Sequence, residues 1–162
     1  MHHTISVLVV NQSGVLSRIS GLFSGRGYNI ESLNVAETND SGISRMTIVT
    51  RGDDKKIEQV TKQLNKLVDV IKVIDFTEEH FVDRELILVK MNAEARVREE
   101  ILRIVDIFRA KVIDVNPDTY TVEITGDEGK TKGFLDLLKP LGIKEVVRSG
   151  RIAISRSIKP IN

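Results

Sequence analysis

Cysteine is absent from the 162 residues, and there is no long apolar run. Without cysteine the chain has no disulfides, thiolate zinc sites or cysteine nucleophiles, as is common in reducing compartments. No apolar stretch approaches the ~20 residues that a membrane-spanning helix requires. Met1-His2-His3-Thr4 leads directly into a strand pattern, with no signal or transit peptide. We therefore expect a cytoplasmic protein with no membrane partner.

Charge of one sign and aromatic side chains are also scarce. The 24 basic and 23 acidic residues nearly cancel, and aromatics make up only 4% of the sequence. An RNA-binding double plait would stack bases on aromatics of its central strands, so this alternative is disfavoured and we expect no nucleic-acid partner. The hydrophobic share of 41% is enough for packed cores.

Residues 3–77 show the element order βαββαβ. The predicted strands cover 3–10, 28–39, 43–50 and 68–76, and the predicted helices cover 14–26 and the segment after Asp53-Asp54. The turn at Asn39-Asp40-Ser41-Gly42 is typical of a hairpin connection. The pattern predicts a first domain over 3–77.

After a polar linker at 77–83 the same order repeats over 84–157. Leu86 to Val89 is an unbroken apolar strand, which indicates burial on both faces. The last helix has a predicted apolar face made by Phe134, Leu137, Leu138 and Leu141. Each unit is predicted to be a ferredoxin-like α+β fold, with two helices on one face of a four-stranded antiparallel sheet. The other sheet face then needs cover, which a second copy or another protein would supply.

The loop between the first strand and the first helix predicts a site for a small carboxylate. Asn11 and Ser13 can cap the helix, and Gly14 allows a ligand to approach the main chain closely. The free N–H groups and positive dipole of a helix N-terminus suit a carboxylate. Asn29 and Ile30, at the start of the second strand, would add an amide and an apolar wall for an aliphatic amino acid. The predicted site residues are Asn11, Gln12, Ser13, Gly14, Val15, Leu16, Asn29 and Ile30.

No catalytic or metal-binding constellation stands out. His2, His3 and His80 lie at the terminus and in the linker, where surface histidines are expected. Asp53-Asp54 is better explained as a helix N-terminus than as a metal pair. The glycine spacing GxxxGxG at 21–27 does not match a dinucleotide fingerprint. We expect a chain that is not catalytic by itself.

Several segments carry a resemblance to a known family. Arg26-Gly27-Tyr28-Asn29-Ile30-Glu31-Ser32-Leu33-Asn34-Val35 and the run at 43–49 resemble an ACT domain, a small amino-acid-sensing module. More narrowly, they resemble the small regulatory subunit family of acetolactate synthase. The resemblance continues through 70–73 and, more loosely, through the second half.

That resemblance implies feedback inhibition by valine, sensed between paired ACT domains, with Asn11, Gly14, Asn29 and Ile30 at the matching positions. It also implies a homodimer that activates a separate catalytic (large) subunit in branched-chain amino-acid biosynthesis. In the family the thiamine diphosphate, magnesium and FAD sit on that catalytic subunit, so we expect no cofactor on this chain. A free-standing ACT-domain sensor is the alternative. Because Glu94 puts an acid where the first unit has Gly14, the second unit is expected to bind no valine but to relay the signal.

Overall fold

The structure, a computed structural model, describes residues 1–157 apart from the side chain of Glu78. These residues form nine strands, four α-helices and two short 3₁₀ turns, at Phe76–Glu78 and Lys139–Leu141. The strands are β1 (His2–Val10), β2 (Ile30–Glu37), β3 (Ile43–Arg51), β4 (Val70–Asp75), β5 (Phe81–Asn92), β6 (Lys111–Val115), β7 (Thr119–Gly126), β8 (Ile143–Arg148) and β9 (Ile152–Ser155). The helices are α1 (Val15–Gly25), α2 (Asp54–Asn65), α3 (Ala95–Ile107) and α4 (Glu128–Leu138).

The chain divides into two compact units, and the predicted βαββαβ order is confirmed in both. Residues 1–82 together with the segment from 151 form the first unit, and residues 83–150 form the second. The first unit has an antiparallel sheet in the order β2-β3-β1-β4, and the strands of the second follow the equivalent order β6-β7-β5-β8. No helix in residues 1–157 is both long and apolar enough to cross a membrane.

In the first unit both helices pack on the same face of the sheet. The core joins alternate residues of β1 and β3 to the apolar stripes of α1 and α2; its buried members are Ile5, Val7, Val9, Val15, Ile19, Phe23, Met46, Ile48, Ile57, Val60 and Leu64. Asp53 begins α2 as predicted, since its carboxylate accepts a hydrogen bond from the Lys56 N–H at 2.8 Å. Gly27, with φ 72°, follows the end of α1 in a left-handed conformation that suits glycine.

The opposite face of this sheet is not left open, which corrects the expectation that a partner must cover it. The segment from Arg151 returns to the first unit, where the Arg151 N–H donates to Ser32 Oγ at 3.0 Å. Asn34 Nδ2 donates back to the Arg151 carbonyl at 3.2 Å. Further along, Ala153 packs in a small apolar cluster with Ile74 and Phe76. The predicted second domain, 84–157, therefore extends past the compact second unit, because its last residues pack on the first.

The second unit buries the equivalent face of its own sheet against α3 and α4. Ile87 and Val89 of β5 are fully buried, but Leu86 is 39% exposed, so the expected burial of this strand on both faces is wrong. Leu137, predicted on the apolar face of α4, is also exposed.

The predicted linker at 77–83 is shorter than expected. The strand β5 already begins at Phe81, and the ring of Phe81 packs against that of Phe76.

Candidate ligand site

The predicted loop crosses from the end of β1 to the start of α1, and Gly14 is the turning point. Gly14 is the N-cap of α1 with φ 87°, a left-handed conformation that only glycine adopts without strain. A Cβ at this position would lie 3.2 Å from the Arg18 guanidinium. The tight turn lets the chain pass from the end of β1, a central strand, into α1 within four residues.

The N-terminus of α1 offers a group of unused donors. Within residues 1–157, the backbone N–H groups of Ser13, Gly14, Leu16 and Ser17 have no hydrogen-bond acceptor. No acidic side chain lies in the first turn of α1. Exposed donors at the positive end of a helix suit an anion, which keeps the sequence-based prediction of a carboxylate site open to test.

Asn11 has a different role from the one expected. It does not cap α1, and neither does Ser13, because no side chain accepts a hydrogen bond from the first turn. Instead Asn11 Nδ2 donates to the Ser41 carbonyl at 2.9 Å and to Glu37 Oε1 at 3.1 Å, and the Asn11 N–H donates to the Gly42 carbonyl at 2.9 Å. Asn11 therefore anchors the loop to the β2–β3 hairpin, and the N–H groups of the first turn keep no side-chain acceptor.

The remaining loop residues differ in what they can present to a ligand. Gln12, Ser13 and Leu16 are exposed, and Leu16 keeps 44% of its surface accessible. The Val15 side chain is buried in the core, so this residue can contribute only its backbone. Leu16 is thus the apolar side chain that the loop can offer to an aliphatic group.

Asn29 and Ile30 lie at the other end of the same sheet. In β3, Ile43 pairs with Val10 beside the loop, whereas Thr50 pairs with Ile30. These two β3 residues are seven positions apart, which corresponds to about 23 Å along the strand. Asn29 is exposed there, and its carbonyl accepts a hydrogen bond from Thr50 Oγ1 at 2.7 Å. The predicted site residues therefore form two separate groups within one chain.

Comparison with known proteins identifies the family. Residues 5–72 match the model of the small-subunit-like ACT domain of acetohydroxyacid synthase, and residues 84–157 match that of the small subunit of acetolactate synthase. An acetolactate synthase small subunit from Aquifex aeolicus is 55% identical over 157 residues, covering 96% of this chain and 82% of its own length. The chain belongs to the acetolactate synthase small subunit family.

Further relatives agree with this assignment. A probable acetolactate synthase small subunit from Archaeoglobus fulgidus is 52% identical and covers 98% of this chain and 99% of its own. Among solved structures, the acetolactate synthase small subunit of Thermotoga maritima is similar, with a TM-score of 0.86, 40% identity and coverage of 97% and 98% of the two chains. The resemblance seen in the sequence and the ferredoxin-like ACT fold are both confirmed.

The second unit of the chain has a different helix start at the place of the loop. Glu94 is the N-cap of α3, the position that Gly14 takes in α1, and its carboxylate pairs with Arg96 at 2.9 Å. Ala93 before it is fully buried, and its N–H donates to the Asp118 carbonyl. Glu94 thus stands at this helix start, as the comparison of the two units predicted, and its charge would repel a carboxylate ligand there.

His3 departs from the surface position expected of it. It is buried, with Nδ1 2.7 Å from Thr77 Oγ1 and Nε2 3.2 Å from the Gly52 carbonyl oxygen, so it joins β1 to the segments that flank α2 and follow β4. The alternation of β1 carries the signal that was missed, because His3 falls on the same face of the strand as Ile5 and Val7, which are fully buried. Within residues 1–157, no three His, Cys, Asp or Glu side chains are grouped to hold a metal ion.

Proposed function

We propose that this chain is the regulatory subunit that raises the activity of a separate acetolactate synthase catalytic chain and makes it sensitive to valine. The observation that carries the proposal is the set of four free N–H groups at the start of α1, in a chain of the acetolactate synthase small subunit family. A carboxylate fits these donors, and Leu16 offers an apolar neighbour for a branched side chain. The regulatory chain acts by differential binding of valine to the active and inhibited states of the complex.

The separation of the site residues supports a homodimer through the ACT domains. One chain cannot bring Asn29 and Ile30 to its own loop, because about 23 Å of β3 lies between them. A second copy can. The outer edge of β2 pairs with no strand among the described residues, and such an edge favours pairing with an identical strand.

Antiparallel pairing of β2 with β2 of a second copy places the two groups together. A two-fold axis through the middle of Ile30–Glu37 puts Ile30 of one copy opposite Glu37 of the other. Glu37 already contacts Asn11 of the loop at 3.1 Å. The proposed valine site is therefore composite: the loop of one copy holds the carboxylate, and Asn29 and Ile30 of the other enclose the ligand.

We assign the formation of acetolactate, with the cofactors it requires, to the catalytic subunit. In this proposal the catalytic subunit holds thiamine diphosphate, magnesium and FAD, and the present chain holds valine alone. The proposed setting is the cytoplasm, where the catalytic subunit and valine would both be available.

Titration calorimetry of the full chain with valine, leucine and isoleucine tests the ligand, and sedimentation velocity tests the dimer. Reconstitution with the catalytic subunit, with acetolactate formation measured with and without valine, tests the regulatory role. The proposal expects binding of a branched-chain amino acid, a dimer at micromolar concentration, and stimulation that valine reverses. A chain that binds valine without affecting the enzyme would instead be a free-standing sensor.

A further inference from the structure

Asp69, in the turn before β4, contacts both ends of the loop that precedes α1. Its backbone carbonyl accepts a hydrogen bond from the Val10 N–H at 2.9 Å, at the last residue of β1. Its carboxylate oxygen Oδ2 lies 2.7 Å from both Nε and a terminal nitrogen of Arg18, in the first turn of α1. Asp69 thus connects Val10 at the end of β1 to Arg18 in the first turn of α1.

The Arg18 side chain in turn borders the loop itself. Its remaining guanidinium nitrogen lies 3.2 Å from the place where a Cβ on Gly14 would stand. The Arg18 N–H also donates to the Gly14 carbonyl at 3.0 Å. Asp69 therefore fixes a guanidinium group against the turning point of the loop, on the side away from the β2–β3 hairpin, which Asn11 contacts.

We propose that Asp69 is a positioning residue of the loop between β1 and α1, residues 11–14, and that it acts through Arg18. With the loop fastened to the hairpin by Asn11 and to the turn before β4 by Asp69, the free N–H groups of the first turn keep one arrangement before a ligand arrives. A preformed donor set binds an anion more tightly than one that must be ordered on binding. This inference rests on the proposed function, because it concerns the same loop.

Removal of the Asp69 charge distinguishes positioning from simple electrostatics. Asp69→Asn keeps the shape of the side chain and the backbone carbonyl that accepts from the Val10 N–H, but weakens the pair with Arg18 that holds this turn against α1. If Asp69 acted only through its charge, losing a negative group near the carboxylate site would tighten valine binding. Positioning predicts the opposite: binding about five-fold weaker, since a half-exposed ion pair is worth less than the 1.4 kcal/mol that equals ten-fold.

Two further variants complete the comparison. Asp69→Glu keeps the charge and should recover most of the affinity. Glu58→Gln is the matched control, because Glu58 forms an equally short pair with Lys62, at 2.8 Å, on the exposed side of α2. The hydrogen bond from Lys62 lowers the pKa of Glu58, so this carboxylate is charged at neutral pH and Glu58→Gln removes one negative charge, as Asp69→Asn does. Glu58→Gln should leave valine binding unchanged.

The full chain is measured in two ways, by valine titration calorimetry and by amide hydrogen exchange without ligand. We expect Asp69→Asn to speed exchange of the Val10 and Arg18 amides about five-fold and to weaken valine binding by a similar factor. Unchanged exchange at these amides, or tighter valine binding, would overturn the inference. If the wild-type chain binds no branched-chain amino acid, the proposed function fails, while the exchange result still decides whether Asp69 positions the loop.

Discussion

Replacement of Gly14 by aspartate is the most direct perturbation of the proposed site. The backbone at Gly14 has φ 87°, so any side chain costs about 1–2 kcal/mol of strain, although aspartate tolerates this conformation better than most residues. The new Cβ would meet the end of the Arg18 side chain at 3.2 Å, and this flexible group can move aside. We therefore expect Gly14→Asp to fold and to keep its stimulation of the catalytic chain.

The effect on valine should be much larger than the effect on folding. A carboxylate at position 14 would stand beside the free N–H groups, about 4 Å from a bound ligand carboxylate, where like charges repel by about 4 kcal/mol at an effective dielectric of 20. Arg18 would neutralise part of this by turning toward the new carboxylate. Half of the repulsion, about 2 kcal/mol, still weakens binding about thirty-fold. Valine at concentrations that inhibit the wild-type complex should then have no effect.

The assay is acetolactate formation by the reconstituted complex over a range of valine concentrations, with calorimetry on the regulatory chain alone. Gly21→Asp is the matched control, since it adds the same charge to the same helix at an exposed position where a Cβ has no neighbour within 4 Å. It should keep the wild-type valine response. Full valine sensitivity in Gly14→Asp would refute the placement of the carboxylate at this helix start.

Three further outcomes are expected. Val35→Lys on the edge strand β2 should shift the dimer to monomer in sedimentation and lose valine binding with it; a dimer that persists would exclude this edge as the interface. Arg148→Met should lower the free energy of unfolding in urea by about 2 kcal/mol, because it leaves the buried carboxylate of Glu85 without its paired cation, and an unchanged midpoint would contradict this. Truncation after Asp83 should keep valine binding by calorimetry but lose part of the valine response of the complex. The thermal midpoint of the fragment should be lower, because Phe76 loses its contact with Ala153. Full feedback inhibition by the fragment would exclude a relay role for the second unit.

Local patterns in the sequence determined the element order and the character of the loop. Alternation of apolar residues in the strands and their three- and four-residue spacing in the helices depend only on near neighbours, so both βαββαβ units could be predicted. The acid at the start of α3 could also be predicted, because helix caps are set within a few residues, but the caps expected for α1, Asn11 and Ser13, were wrong, since Gly14 takes that position without a side-chain hydrogen bond. The family resemblance also follows from the sequence, through segments such as 26–35.

The tertiary structure decided which long-range contacts those elements make. Strand pairing shows how far Asn29 lies from Gly14 at the opposite end of the sheet, because distance along the chain does not reveal register. The packing of Ala153 on Phe76, and the link from Asp69 to Arg18, join positions 77 and 51 residues apart, and no local pattern encodes such partners. The sequence by itself thus determined that the chain has two βαββαβ units, with an acid at the first helix of the second unit where the first unit has a glycine. The fold decided that the loop residues of the predicted site lie at one end of the sheet and Asn29 and Ile30 at the other, because a strand separates its two ends by its full length.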